Sequence, residues 1–142
     1  MLKRLTLFLL IACCVACDKN QQKSAGCTAQ ICTDIFVSIN IHFTDNTGKL
    51  INVQNFSAVD QRTHLALQAK YTIIVPMPVA NTKDYLVADD SMLSQLSTDG
   101  DDILITATNP ATNQTKTVTL KISGGCNCHV TKISGPDTVA FD

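Results

Sequence analysis

Between Ile35 and Phe43 the chain alternates. Ile35, Val37, Ile39, Ile41 and Phe43 fall on one face of an extended segment, and Ser38, Asn40 and His42 fall on the other. That period of two is the mark of a half-buried strand. Asp45-Asn46-Thr47-Gly48 follows as a turn, with Gly48 free to take positive φ. Leu50 to Val59 forms a second, less regular strand, closed by a turn at Gln61-Arg62-Thr63. Leu65-Ala66-Leu67 and Tyr71 to Val75 are predicted as two further short strands, and Pro76-Met77-Pro78 breaks the pattern and belongs at an edge or in a loop. Tyr85-Leu86-Val87-Ala88 is another strand, and Asp90-Ser91 ahead of Met92 to Leu96 predicts one capped helical turn. Ile103, Ile105 and Ala107, then Val118, Leu120 and Ile122, alternate with polar or outward positions on either side of Asn109 to Gln114, which predicts a hairpin with a polar tip. Gly124-Gly125 interrupts, and a last strand is predicted over Cys126 to Ile133, ahead of Gly135-Pro136. Seven or eight short strands with frequent turn signals predict an all-β fold: a single antiparallel β-sandwich, Ig-like or transthyretin-like.

Composition agrees with that pattern. The acidic residues are all Asp, while Thr, Val, Ile and Asn are dense, so helix formers are scarce and β-branched residues abundant. Eleven basic residues face twelve acidic ones, and this balance offers nothing for nucleic acid to bind.

The opening MLKRLTLFLLIACCVACDKN departs from the rest of the chain. Lys3 and Arg4 form a basic n-region, and Leu5 to Ala12 is an apolar run too short to span a bilayer stably. This is the pattern of an export signal. Its end resembles a bacterial lipobox, in which an apolar and two small residues precede a cysteine that becomes lipidated. Cys17 is the expected site because the polar switch at Asp18 follows it directly; Cys13, after Leu10-Ile11-Ala12, is the alternative. The resemblance implies a signal peptide over residues 1–16, a lipidated Cys17 with a flexible polar tether over 17–26, and the sandwich over 27–142. A cysteine carrying more than one hydrocarbon chain anchors stably in a membrane. About 115 residues remain for the domain, enough for one core. The expected location is the outer membrane or the cell surface, with the domain in the periplasm or outside the cell.

Four cysteines follow the tether: Cys27, Cys32, Cys126 and Cys128. An even number in an exported domain points to disulfides. Zinc is the sharper alternative, because His129 stands beside Cys126 and Cys128. However, C-x4-C with C-x-C is a poor match to the C-x2-C knuckle, and strand parity turns His129 away from the two cysteines. A direct Cys126–Cys128 redox bond would have to bridge two residues of extended chain, whose Cα atoms are about 6.6 Å apart with parallel Cβ vectors. Bridges between the two chain ends each close a loop near 100 residues, worth about 4.7 kcal/mol for the first link by the chain-entropy model. If the two segments run antiparallel, the pairs are Cys27 with Cys128 and Cys32 with Cys126.

The stretch FTDNTGKLINVQNFSAVDQRT, residues 43–63, resembles the strand-turn-strand of carboxypeptidase-regulatory-like and Ig-like modules. The whole chain, notably its ending CNCHVTKISGPDTVAFD, is similar to short uncharacterised lipoproteins of Bacteroidetes-type bacteria. The resemblance implies a lipid-anchored β domain without an established activity. It also implies O-glycosylation at Asp-Ser/Thr-apolar triplets, which Asp90-Ser91-Met92 and Asp137-Thr138-Val139 fit.

Other chemistry is sparse. His42 on a strand's polar face and His64 at a turn read as solvated histidines. Asp99-Gly100-Asp101-Asp102, with Asp89 and Asp90 upstream, offers oxygens for calcium but lacks EF-hand spacing, and reads as a solvated turn. Met77 reads as a packing residue, and no phosphate-cradling glycine loop occurs. The expectation is a non-catalytic binding or structural module without a cofactor. Its membrane contact is the lipid, and its other partner is an envelope protein or a glycan. A metal-binding or thiol-redox lipoprotein using Cys126, Cys128 and His129 is the alternative, and a hydrolase with an unrecognised site is the second. The non-catalytic reading expects no deep pocket, and no histidine bonded in a cleft to a Ser, Thr or Cys side chain.

Overall fold

A computed structural model describes residues 26–28, 31–70 and 83–142. Seven strands occur among these residues: β1 (Ser38–Thr44), β2 (Gln54–Asp60), β3 (Asp84–Asp89), β4 (Asp101–Thr108), β5 (Thr115–Ser123), β6 (Thr131–Ser134) and β7 (Thr138–Ala140), with a 3₁₀ helix over Asp90–Gln95. They form two sheets, ordered β3-β1-β7 and β2-β4-β5-β6. The all-β sandwich read from the alternation is the fold. Pairing is antiparallel except for β1 with β7, which run parallel from His42 opposite Thr138 to Thr44 opposite Ala140.

The inward faces are those the period of two selects. Ile39, Ile41 and Phe43 of β1 and Val87 of β3 meet Ile103 and Ile105 of β4 and Leu120 and Ile122 of β5, all buried. Each fully buried aliphatic or aromatic side chain contributes about 1.5–3 kcal/mol relative to exposure. At one end of the core Phe43 stands edge-on to Tyr85, with ring centroids 5.2 Å apart, and contacts Phe56 and Phe141 at 6.2 and 6.0 Å. The Tyr85 hydroxyl accepts from the Val53 backbone N–H at 2.6 Å, so its polar end is satisfied at the edge of the aromatic cluster.

Several boundaries differ from the sequence reading. Ile35 is exposed and β1 begins only at Ser38, because the stretch before it is held by bonds outside the sheets. Residues Leu65 to Leu67 touch β2 through a single bridge, Val59 to Ala66, flanked by the bonds Asp60 N–H to Leu65 O and Leu67 N–H to Ala58 O. The expected strand at 71–75 and the Pro76-Met77-Pro78 break lie outside the described residues, as do Cys13 and Cys17. The helical turn is present as a 3₁₀ helix, but its cap is Asp89, whose carboxylate accepts from the Ser91 N–H. The β4–β5 hairpin runs in continuous register from Asp101 opposite Ile122 to Thr108 opposite Thr115.

The strand expected over Cys126 to Ile133 is shortened to β6, and the reason is where its backbone bonds go. Gly124 and Gly125 press against the 3₁₀ helix: a Cβ on Gly124 would lie 2.8 Å from the Leu96 Cβ, and Gly125 has φ +59°. Gly124 N–H donates to Ser97 O and Gly125 N–H to Leu93 O. The Cys126 N–H then goes to the Thr98 hydroxyl, the Asn127 N–H to Gly124 O, and the Val130 N–H to the Asp90 carboxylate. A segment whose donors are taken by side chains and by its own turn cannot join a ladder.

Candidate functional site at the stapled chain ends

Two disulfides join the N-terminal strap, the stretch of chain over residues 27–37 ahead of β1, to the segment after Gly125: Cys27–Cys126 and Cys32–Cys128, with Cα separations of 5.2 and 5.3 Å. Crosslinks between the two ends are therefore present, but the pairing is parallel. The nested alternative assumed antiparallel segments, whereas here residue number rises in the same direction on both sides. This also removes the parity argument about His129, since residues 126–129 are turns and bends.

Parallel pairing brings the residues after each cysteine of the second bridge together. Thr33 Oγ1 lies 2.9 Å from His129 Nε2, and His129 Nδ1 lies 2.7 Å from Asp90 Oδ2. A carboxylate only accepts, so Nδ1 carries a hydrogen, and in the neutral ring Nε2 accepts from the Thr33 hydroxyl. Asp90 also receives the Val37 N–H on Oδ2 and the Val130 N–H on Oδ1, each at 2.9 Å. Burial alone would raise this carboxyl, but the bonds from Val37, His129 and Val130 and the His129 charge hold it below its ordinary value. One carboxylate thus ties the start of β1, the end of the cysteine segment and the 3₁₀ helix together. The Thr33–His129 contact is the histidine–hydroxyl bond that the non-catalytic reading expected to be missing from a cleft. It sits on the exposed strap, outside both grooves described below.

Three of the acidic residues considered for calcium, Asp89, Asp90 and Asp101, have other partners. Asp101, almost fully buried in β4, accepts two bonds from Arg62, Nε at 2.8 Å and a terminal nitrogen at 3.0 Å, and takes the Ser97 N–H and hydroxyl as well. Burial would raise Asp101, but Arg62 and Ser97 lower it below its ordinary value. Arg62 is raised, first by its bond to Asp101. Buried Asp60 accepts the Arg62 N–H and the Thr63 hydroxyl. Asp89 caps the 3₁₀ helix, and Asp102 lies outward on β4. No group of three or more metal-ligating side chains occurs among the described residues.

Beside this ion cluster runs an open groove of about 830 Å³, lined by Arg62, Leu65, Leu67, Lys70, Ser94 and Gln95, among others. The Gln95 amide forms two bonds to the Gln68 backbone, at 3.1 and 2.7 Å, which fixes one wall of the groove. A smaller pocket of about 360 Å³ lies between Leu96, Thr98 and the Cys27–Cys126 bridge.

The remaining sites are on the surface. His42 pairs with Asp84 at 2.6 Å on the outer face of the β1–β3 pair, and His64 holds a positive-φ turn position with its N–H on Asp60 O. Of the two glycosylation triplets, Ser91 has its hydroxyl bonded to Asp89 and to the Lys70 N–H, while Thr138 is exposed in β7. The sequence reading missed Thr33. Its signal is its position directly after Cys32, which becomes informative only when the pairing with Cys128 is known.

No protein-family model, curated protein or solved structure matches the chain.

Proposed function

We propose that the chain is a lipid-anchored protein of the cell envelope, held at an outer membrane or cell surface through Cys17, or Cys13 in its place, whose sandwich binds a glycan and does not catalyse. The groove beside the 3₁₀ helix carries this reading. Its lining combines hydroxyl and amide groups with the apolar sides of Leu65 and Leu67, the mixture that suits the polar rims and apolar faces of sugar rings. The Arg62 charge is already matched by Asp101 and Asp60, which leaves it little to offer an anionic ligand. A double covalent staple and a rigid β framework suit presentation of loops to a ligand. No helix among the described residues is long and apolar enough to cross a membrane.

Ser94 is an exposed groove residue, and Ser94→Trp fills its space without touching the core. Calorimetric titration with neutral oligosaccharides is expected to give saturable heat with the unmodified protein. The affinity should fall by about tenfold or more, at least 1.4 kcal/mol, in the tryptophan variant. Equal affinities would remove the groove as the binding site, and no heat with any oligosaccharide would leave a scaffolding role in its place.

The Thr33–His129–Asp90 arrangement favours a second reading, a hydrolase. Its order of groups is that of a nucleophile, a base and the carboxylate that orients the base. A fluorophosphonate probe is expected to leave Thr33 unlabelled, because the hydroxyl lies on an open strap with water on its free side. Labelling of Thr33 that disappears in His129→Ala would put the hydrolase first.

A further inference from the structure

Seven large apolar side chains are exposed among the described residues, and three of them, Ile31, Ile35 and Phe36, fall within six positions of the strap. Their exposures, 102%, 63% and 53%, leave each largely in water. The strap is not loose at this point. Between these residues Cys32 is bonded to Cys128 and Thr33 to His129, and just beyond them Val37 is bonded to Asp90. Attachment through Cys32, Thr33 and Val37 holds the strap in place while Ile31, Ile35 and Phe36 stay in water, which is what a docking surface needs and what a simple connector does not. Clustered exposed apolar groups mark interaction sites more often than single ones do.

Position along the chain selects the occupant. Cys27 lies ten positions after Cys17, and an extended chain advances at most about 3.6 Å per residue, so a lipid on Cys17 keeps the start of the strap within about 36 Å of the bilayer surface. Of the exposed apolar residues, the strap's three are the nearest in sequence to that anchor. The tether between them carries Lys19 and Lys23 against Asp18, a small positive excess that suits an anionic leaflet.

We propose that Ile31, Ile35 and Phe36 form a second membrane contact, seating the strap in the interfacial layer of the bilayer beside the lipid anchor. This rests on the lipid-anchor reading above. A single lipid attachment would leave the domain free to swing on its tether. A seated strap fixes which end of the sandwich faces the membrane and turns the opposite end outward. Apolar side chains at the headgroup boundary add to binding in proportion to the area they bury there.

The chain contains no tryptophan, so one introduced residue is a unique reporter. Phe36→Trp and Ile31→Trp replace exposed side chains, and Thr112→Trp places the reporter at the exposed tip of the β4–β5 hairpin as a control. The full lipidated protein is reconstituted into vesicles of phosphatidylethanolamine and phosphatidylglycerol, with or without bromine on the acyl chains. Both strap reporters should shift their emission to the blue and lose most of it to brominated lipid, while the Thr112→Trp emission stays unchanged. Vesicle flotation and the intact mass of the N-terminal peptide separate the two ideas. Protein that floats with a lipid on Cys17 but shows unquenched strap reporters overturns the second contact and keeps the anchor. Protein that neither floats nor carries a lipid overturns both. Blue-shifted emission that is insensitive to bromine and appears only as protein concentration rises overturns the membrane contact in favour of a second copy of this chain.

Discussion

Removing either disulfide by serine replacement is expected to cost about 2.5 kcal/mol, and removing both about 7 kcal/mol. The two bridges span 99 and 96 residues, so either one alone already closes nearly the same long loop. In the chain-entropy model that long closure is worth about 4.7 kcal/mol, whichever bridge supplies it. The second bridge then closes only the small ring formed by the strap between Cys27 and Cys32 and the segment between Cys126 and Cys128, about eight residues and therefore about 2.5 kcal/mol. Each single removal loses the small ring, and only the double removal loses the long one. The two single losses sum to about 5 kcal/mol, so the double loss should exceed them by about 2 kcal/mol, an interaction that a double-mutant cycle measures from denaturant midpoints. Pairing can be read from the same proteins. Cys27→Ser with Cys126→Ser should show no titratable thiol in the native domain, because Cys32 and Cys128 remain bonded. A nested arrangement would leave two thiols in that variant, and strictly additive losses would mean that the bridges do not share a loop.

Legibility in the sequence followed the range of the forces involved. The β4–β5 hairpin was readable because its register is set locally: alternation on both sides of Asn109 to Gln114 puts Ile103, Ile105, Leu120 and Ile122 on one face. The inward face of β1 was readable for the same reason. β7 was not, because three residues after Gly135-Pro136 carry no period of their own, and their strand exists only through parallel bonds to β1. Cys126 to His129 looked like a strand by composition. Its Asn127 N–H instead closes a turn on Gly124, and the Cys126 and Val130 N–H groups go to the Thr98 and Asp90 side chains, partners that no window of neighbouring residues contains. The cysteines showed that the chain ends are stapled, but chain direction at the staple decides the pairing and is a tertiary property. The Thr33–His129 contact follows from that direction, so it was out of reach for the same reason.

Acid should unfold the domain more steeply than its modest charge suggests, and two carboxylates should account for much of the slope. Asp90 and Asp101 are both held below the ordinary aspartate value of 3.8 in the folded chain. The sign follows directly. A depressed folded value means that the native state stays ionised while the unfolded chain takes up protons, so the stabilisation is complete above the ordinary value and is lost as pH falls through the folded values. In that window the slope from each group is at most about 1.4 kcal/mol per pH unit, the limit in which the unfolded chain holds one more proton than the folded one. The physical source differs between them. Asp90 loses its hold on the Val37 and Val130 N–H groups and on His129, which releases the strap from the 3₁₀ helix. Asp101 loses its two-pronged bond to Arg62 and leaves Asp60, buried beside it, with a less securely placed cation. Asp90→Asn and Asp101→Asn mimic the protonated charge state at neutral pH, and the amide presents hydrogens where donors already point. Each should cost about 2–5 kcal/mol near pH 7, because one partner of a satisfied buried group has been removed. Each variant should also show a shallower acid limb, by at most one proton of slope, when urea midpoints are followed from pH 7 down to about pH 3. A variant that loses stability at neutral pH yet keeps the parent's acid slope would show that its carboxylate is not the group being protonated.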